Sequence, residues 1–251
     1  VSSFGLAMIK GEGAPVMYDS EQQGFVTRAT HVEYALGFQI TKNMVADDLY
    51  NIVGPRKSKK LARSMRQTKE TVGGNVYNRA FNSSYTFGDG LEMCSLLHVN
   101  VAGGTWANEP TTAVDMSEAA LEQACIDIGG WTDDRGLKAA VRPKSLIVPI
   151  QLDFEANKIM KTEYEVGTAN NTVNIVRSRF PGGVFVSHYL TDTDAWFIRT
   201  DVPDGLLYVE RAGDSFANDS DFDTSNAKFK AEGRYSFTLV DPRCIYGSPG
   251  A

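Results

Sequence analysis

Between Lys228 and Leu239, charged or hydroxyl side chains at 228, 230, 232, 234, 236 and 238 alternate with Phe229, Ala231, Tyr235, Phe237 and Leu239. A period of two held over this length predicts a long strand with one buried face. A second alternation runs through the start of the chain. Phe4, Leu6 and Met8 lead to a turn at Gly11-Glu12-Gly13-Ala14-Pro15. On the return, Val32, Tyr34, Leu36, Phe38 and Ile40 fall on one face, with His31, Glu33 and Gln39 on the other. The expectation is a long β-hairpin over residues 1–42. A two-stranded ribbon is marginal by itself, so its apolar face must rest on other parts of the protein or on a neighbouring subunit.

From Asn43 the period becomes helical. Val45, Leu49, Ile52 and Val53, then Leu61, Met65, Val72, Val76 and Ala80, recur at three- and four-residue spacing. This predicts one long helix to about Phe81, kinked or restarted at Gly54-Pro55, where proline cannot continue the hydrogen-bond ladder. Asn43 is a candidate cap, and Asp47-Asp48 suit the helix dipole. The middle of this helix carries Arg56, Lys57, Lys59, Lys60, Arg63, Arg66 and Lys69 with few acids. Such a run is either a solvated face or a contact for an acidic partner, a neighbouring subunit or enclosed nucleic acid.

The middle of the chain mixes both periods. Turns at Phe87-Gly88-Asp89-Gly90 and Gly103-Gly104-Thr105 flank a strand or loop from Met93 to Val101. Ser117 caps a helix through Ile128 that Gly129-Gly130 ends, Ser145–Ile150 is a buried strand, and Leu152 to about Tyr164 is an amphipathic helix. Strand-like runs follow at Val184–Leu190, Ala195–Arg199 and Leu206–Arg211, and residues 212–227 are an acidic, polar loop. The fold class is α+β. The first and last elements are expected to share a sheet beside the long helix, with the central block inserted as a separate domain.

Composition acts by exclusion. The 251 residues are 42% hydrophobic and 22% charged, which rules out disorder and collagen, and no apolar run is long enough for a membrane helix. A net charge of −6 disfavours nonspecific nucleic-acid binding over most of the surface while leaving room for basic stripes. Cys94, Cys125 and Cys244 are odd in number and far apart, which argues for a reducing compartment and for packing roles. The sequons at Asn82, Asn170 and Asn218 are read as chance. Because the chain opens at Val1 within apolar alternation, an upstream segment is expected.

Candidate chemistry is sparse. His31, His98 and His188 lack metal-ligand spacing and are read as surface or packing residues. No phosphate-cradling glycine motif or nucleophile elbow occurs. Asp219-Ser220-Asp221-Phe222-Asp223 starts like a calcium loop but has Thr224 where glycine is needed and Lys230 where the bidentate glutamate belongs. Asp192 and Asp194 read as a turn. No metal, no cofactor and no enzymatic activity are expected.

Several segments stand in order along nearly the whole chain: Arg63-Ser64-Met65-Arg66-Gln67-Thr68-Lys69-Glu70 running into Asn75-Val76-Tyr77-Asn78-Arg79-Ala80-Phe81, then Gly88-Asp89-Gly90-Leu91, Leu97-His98 and Gly103-Gly104. Further on come Pro143-Lys144-Ser145-Leu146-Ile147-Val148-Pro149, Asp194-Ala195-Trp196-Phe197 and the closing Tyr235 to Ala251. In this succession they resemble the major capsid proteins of tailed bacteriophages, particularly a Mu-like branch.

This resemblance implies the tailed-phage capsid fold: an extended β-hairpin loop at 1–42, a spine helix of the peripheral domain at 43–87, an axial domain at 88–227 and a closing peripheral strand at 228–251. It also implies self-assembly as pentamers and hexamers into an icosahedral shell around double-stranded DNA, held by nonspecific contact. Assembly would take place in the bacterial host cytoplasm, and the chain would reside in the virion capsid, with scaffold, protease, portal and decoration proteins as further partners and no membrane. The subunit interface is expected at Phe4, Met8, Lys10, Val32, Tyr34, Leu36 and Phe38, and the basic helix face at Arg56, Lys59, Lys60, Arg63 and Arg66. Some relatives weld subunits through a lysine in the extended loop. Lys10 stands there, but no acceptor asparagine is identifiable, so no covalent bond is expected. To fit both five-fold and six-fold rings the subunit needs a hinge, expected near Gly54-Pro55 or Gly73-Gly74. The alternatives are an encapsulin-like nanocompartment enclosing a protein cargo, and a soluble hydrolase or ligand-binding domain, which would leave the long hairpin without a purpose.

Overall fold

In chain order the elements are β1 (Val32–Ile40), α1 (Lys42–Ala46), α2 (Tyr50–Asn78), β2 (His98–Val99), β3 (Thr105–Trp106), α3 (Glu118–Gly130), β4 (Pro143–Pro149), α4 (Asp153–Lys161), β5 (Val184–Ser187), β6 (Trp196–Thr200), β7 (Leu206–Ser220), β8 (Ala227–Leu239) and β9 (Ile245–Ser248). The computed structural model describes residues 4–21, 23–47, 50–164 and 172–251, and the side chains of 50–52 are outside that description. The expectations for Val1, Asp48, Leu49, the Ile52 side chain and Asn170 therefore lie outside the described residues. Two compact units result. One comprises Tyr77–Leu206 and Leu239–Ala251 with residues up to Arg28, and the other Ala29–Val76 and Leu207–Thr238.

In the second unit, β1 is the return arm of the expected hairpin, but residues 4–11 form no strand beside it. Its partner is β8, antiparallel, with Val32 opposite Tyr235 and Ile40 opposite Ala227. The sheet order is β1-β8-β7. Hydrogen-bonding capacity and a half-buried face decide the pairing, and β8 offers both. Leu61 and Met65 of α2, one helical turn apart, are buried with Ala231 and against Phe38. The acidic loop expected at 212–227 is largely strand. Strand β7 runs to Ser220, and only residues 221–226 turn back into β8.

The helix break also differs. Thr41, not Asn43, is the cap of α1, its Oγ1 accepting from the Met44 amide at 3.4 Å. Helix α2 then runs through Pro55 without a break. Pro55 is the sixth residue of α2, so its missing N–H forfeits a single ladder bond near the helix start. Gly73 is a packing position: a Cβ there would stand 3.3 Å from two ring atoms of Phe237.

The first unit is built on the sheet β5-β4-β6-β9, with β4 and β5 parallel and the remaining pairs antiparallel. The parallel pair needs a crossover, which α4 lies within. Helix α3 starts where expected, the Ser117 Oγ accepting from the Ala120 amide at 3.2 Å, and buries Leu121, Ala124 and Ile128 from one stripe. Helix α4 buries Ala156, Ile159 and Met160, with acids in its first turn and lysines in its last. Both stripes meet Leu146, Val148, Trp196, Ile198 and Tyr246 of the sheet. Of the expected Met93–Val101 segment only His98–Val99 is strand, and the closing strand expected over 228–251 is two strands, β8 ending at Leu239 and β9 following.

Candidate assembly surfaces

The seven residues expected at a subunit interface fall into two groups. Phe4, Met8 and Lys10 are exposed on the segment between Phe4 and Ser20. That segment is tied at its base by one carboxylate. Asp19 Oδ2 accepts from the Gly5 amide at 2.8 Å and lies 3.2 Å from Arg135 Nη1. Amide hydrogen bonds from Gly5 and Ser20, with the Arg135 charge beyond them, hold the Asp19 carboxyl below its ordinary range. From this base the loop projects apolar side chains into solvent: Leu6 is 79%, Ile9 103% and Met17 75% exposed.

Tyr34 and Phe38 are partly buried. Tyr34 stacks on Tyr235 at 4.8 Å between ring centroids, and Phe38 stacks on Phe229 at 4.9 Å. Val32 and Leu36, on the same face by period, are exposed. The periodicity identified one face of β1, and the helix covers only part of it. A groove of about 720 Å³ opens beside the Phe38–Phe229 pair, rimmed by Lys228 and Lys230.

Arg56, Lys59, Lys60, Arg63 and Arg66 are all exposed along α2. Arg56 and Lys59, Lys60 and Arg63, and Arg63 and Arg66 are three apart and Arg56 and Lys60 four apart, which places all five on one face. The two other cations of the run are used within the unit. Lys57 Nζ donates to the Gln39 carbonyl at 3.2 Å. Lys69 Nζ lies 5.5 and 5.2 Å from the ring centroids of Tyr208 and Tyr235, and 3.5 Å from both Glu210 and Asp214. Its hydrogen bond with Tyr208, together with the neighbouring carboxylates, pushes the ammonium pKa well up against the cost of burial. Sequence reading left Lys57 and Lys69 off this face but gave neither a partner, because the partners come from β1, β7 and β8.

The first unit holds a buried polar hub that spacing did not reveal. Asn108 Nδ2 donates to the carbonyls of Met93, Pro242 and Ile245 at 2.8, 3.3 and 3.3 Å, which fixes the amide orientation. Its Oδ1 accepts from the Ser95 amide at 2.8 Å and faces His98 Nε2 at 3.1 Å. His98 Nδ1 lies 2.5 Å from Asp89 Oδ2. Both ring nitrogens therefore lie against side-chain oxygens. This is the packing role read for His98, its ring buried between Asp89 and Asn108. Arg243 joins nearby, its Nη2 donating to Asn100 Oδ1 at 2.6 Å and its guanidinium lying over Trp106.

Burial raises the Asp89 pKa, but the hydrogen bonds from His98 and the Leu91 amide, with the His98 charge, outweigh it, and the net direction is down. A carboxylate whose folded pKa is depressed contributes stability above its unfolded value, and that contribution is lost as pH falls through the folded one. Unfolding measured across acid pH should accordingly show stability declining below about pH 4, from the ordinary value of 3.8 downwards. Asp89→Asn should cost about 1–3 kcal/mol at neutral pH and flatten that decline. An unchanged acid slope in the variant would contradict the assignment.

Among the described residues no group of three or more histidine, cysteine or acidic side chains is placed to hold a metal ion, and no helix is long and apolar enough to cross a membrane. The cysteines are free, and burial pushes the Cys244 thiol up to about 12.

Comparison with known proteins gives these surfaces their context. No curated protein sequence matches the chain. Among solved structures, the capsid of a native GTA particle with C5 symmetry is similar at TM-score 0.57 and 15% identity, covering 100% of this chain and 84% of that one. The capsid of the cyanophage P-SCSP1u is similar at TM-score 0.56 and 10% identity, covering 99% and 82%. The capsid of Myoviridae phage XM1 is similar at TM-score 0.53 and 12% identity, covering 100% and 83%. At these identities the likeness is one of fold, and it is the fold expected from the quoted segments. The family model described as phage capsid protein matches residues 25–248, almost the whole of both units, and the chain belongs to that family.

Proposed function

We propose that the protein is a major capsid protein that self-assembles as pentamers and hexamers into an icosahedral shell enclosing double-stranded phage DNA. The observation that carries this reading beyond family membership is the loop between Gly5 and Asp19. It is closed at its base by a designed set of hydrogen bonds, yet its large apolar side chains face solvent. A free-standing subunit gains nothing from such a surface, whereas a subunit tiled against copies of itself buries it.

In this reading the segment up to residue 42 is the extended loop, α2 the spine helix of the peripheral domain and β8 its closing strand, while the axial domain expected at 88–227 ends near Leu206, because β7 pairs with β8 in the second unit. The loop contributes Phe4, Met8 and Lys10 to the interface, and on the second unit β1 contributes Val32 and Leu36, with Tyr34 and Phe38 of the same strand stacked on β8. The role is structural and not enzymatic. The shell would assemble in the host cytoplasm and become part of the virion, with scaffold, protease, portal and decoration proteins acting on it from outside the chain.

The contents of purified particles test the reading against its nearest rival. Extracted double-stranded DNA of genome length is the expected result. Particles lacking nucleic acid and carrying one stoichiometric protein instead would establish the encapsulin-like nanocompartment.

A further inference from the structure

We propose that the basic face of α2 is the docking site for the tip of the β7–β8 hairpin of a second copy. This rests on the shell reading and names one contact within it.

Arg56, Lys59, Lys60, Arg63 and Arg66 line a stripe about 15 Å long, at about 1.5 Å of rise per residue. Glu70 is the sole acid in α2, and none of these five cations has an ion-pair partner among the described residues. Like charges three and four apart on a helix repel, so the face is destabilising until something anionic covers it.

The hairpin tip has the complementary character. The Asp221 amide donates to the Asn226 carbonyl at 2.9 Å, and the Asp221 carboxylate is engaged by Thr224 Oγ1 at 2.6 Å and Lys228 Nζ at 3.1 Å. Ser225 sits at φ 52°. These contacts hold the turn and consume Asp221. Asp219 and Asp223, on either side, have no cationic partner among the described residues, and Phe222 between them is 97% exposed.

A phenyl ring flanked by carboxylates matches arginines, because a guanidinium pairs with a carboxylate and stacks on an aromatic face. Nucleic acid would cover the cations equally well, but it would leave Phe222, Asp219 and Asp223 bare on the same unit. A second copy satisfies both patches with one contact. The patches are different surfaces, so the contact is head-to-tail and can repeat around a symmetry axis until it closes, as a shell requires.

The test is a charge exchange in the full chain, purified free of nucleic acid. Assembly is followed by size-exclusion mass and electron microscopy, and folding by thermal melting. The variants are Arg63→Glu with Arg66→Glu, Asp219→Lys with Asp223→Lys, and all four together. Each pair alone should raise the protein concentration needed for half-assembly by about tenfold or more, and the combination should return it to within about threefold of wild type. Should either reversed pair melt early, Arg63→Gln with Arg66→Gln and Phe222→Ala replace it, each expected to weaken assembly without affecting folding. Normal assembly by the helix variants would overturn the proposal, and weaker binding of added double-stranded DNA by those variants would assign the face to nucleic acid. A combination no better than its worse parent would overturn it as well. If wild-type protein does not assemble at all, the shell reading itself fails, before any variant is compared.

Discussion

Ile9→Asp combined with Met17→Asp should abolish particle formation while leaving the melting temperature of the free subunit within about 2 °C of wild type. Both side chains stand in solvent on the loop between Gly5 and Asp19, and substitutions at such positions move folding stability by only about ±0.5 kcal/mol. Assembly reads a different quantity. Each large apolar side chain transferred from water to an interface contributes about 1.5–3 kcal/mol, and a carboxylate in its place adds a desolvation cost on top of that loss. Two such changes per subunit recur at every copy of the contact, so the deficit multiplies around a ring. Assembly yield by electron microscopy and melting by circular dichroism make the check. Shells at wild-type yield would remove the loop from the interface.

Asn108→Ala should be the most damaging single substitution in the first unit outside its apolar core, costing about 3–5 kcal/mol, since each buried polar group left without a partner costs about 1–3 kcal/mol. The Asn108 side chain is fully buried and serves the Ser95 amide, His98 and three carbonyls from two distant segments. Its own backbone carbonyl receives the Gly247 amide at 3.0 Å, so the same residue anchors β9. Asn108→Asp should not rescue. It keeps the accepting oxygen but sets a second one against the carbonyls of Met93, Pro242 and Ile245. Chemical denaturation of the three proteins decides the matter, and an aspartate variant as stable as wild type would show that the hub carries little energy.

These two predictions draw on unequal parts of the sequence. Strands β1 and β8 were legible because each has one covered face, so alternation survives in the residues themselves. Their pairing with each other was anticipated only as a shared sheet. The local hairpin was the simpler inference, but among the described residues, 4–11 form no strand, and β1 pairs with β8 instead. Strand β7 was invisible beyond Arg211 for the opposite reason. It is an exposed edge with both faces in water, so Ala212 to Ser220 carry no period and read as loop. Helix α3 was legible to its cap because Ser117, Glu118 and the Leu121-Ala124-Ile128 stripe all state the same thing. The basic face of α2 was legible residue by residue, since helical spacing alone sorts five cations onto one side. What engages Lys57 and Lys69, off that face, was not, because it depends on β1, β7 and β8. Asn108 gave no signal at all. An asparagine in an irregular segment looks the same whether it lies in solvent or ties three chain segments together.

The shell reading is tested most directly by the state of the purified protein. Negative-stain electron microscopy with size-exclusion mass, on the protein expressed with whatever upstream segment its gene supplies, should show closed shells or rings of five and six subunits. A monodisperse monomer, unchanged on raising the concentration or adding a scaffold, would contradict it.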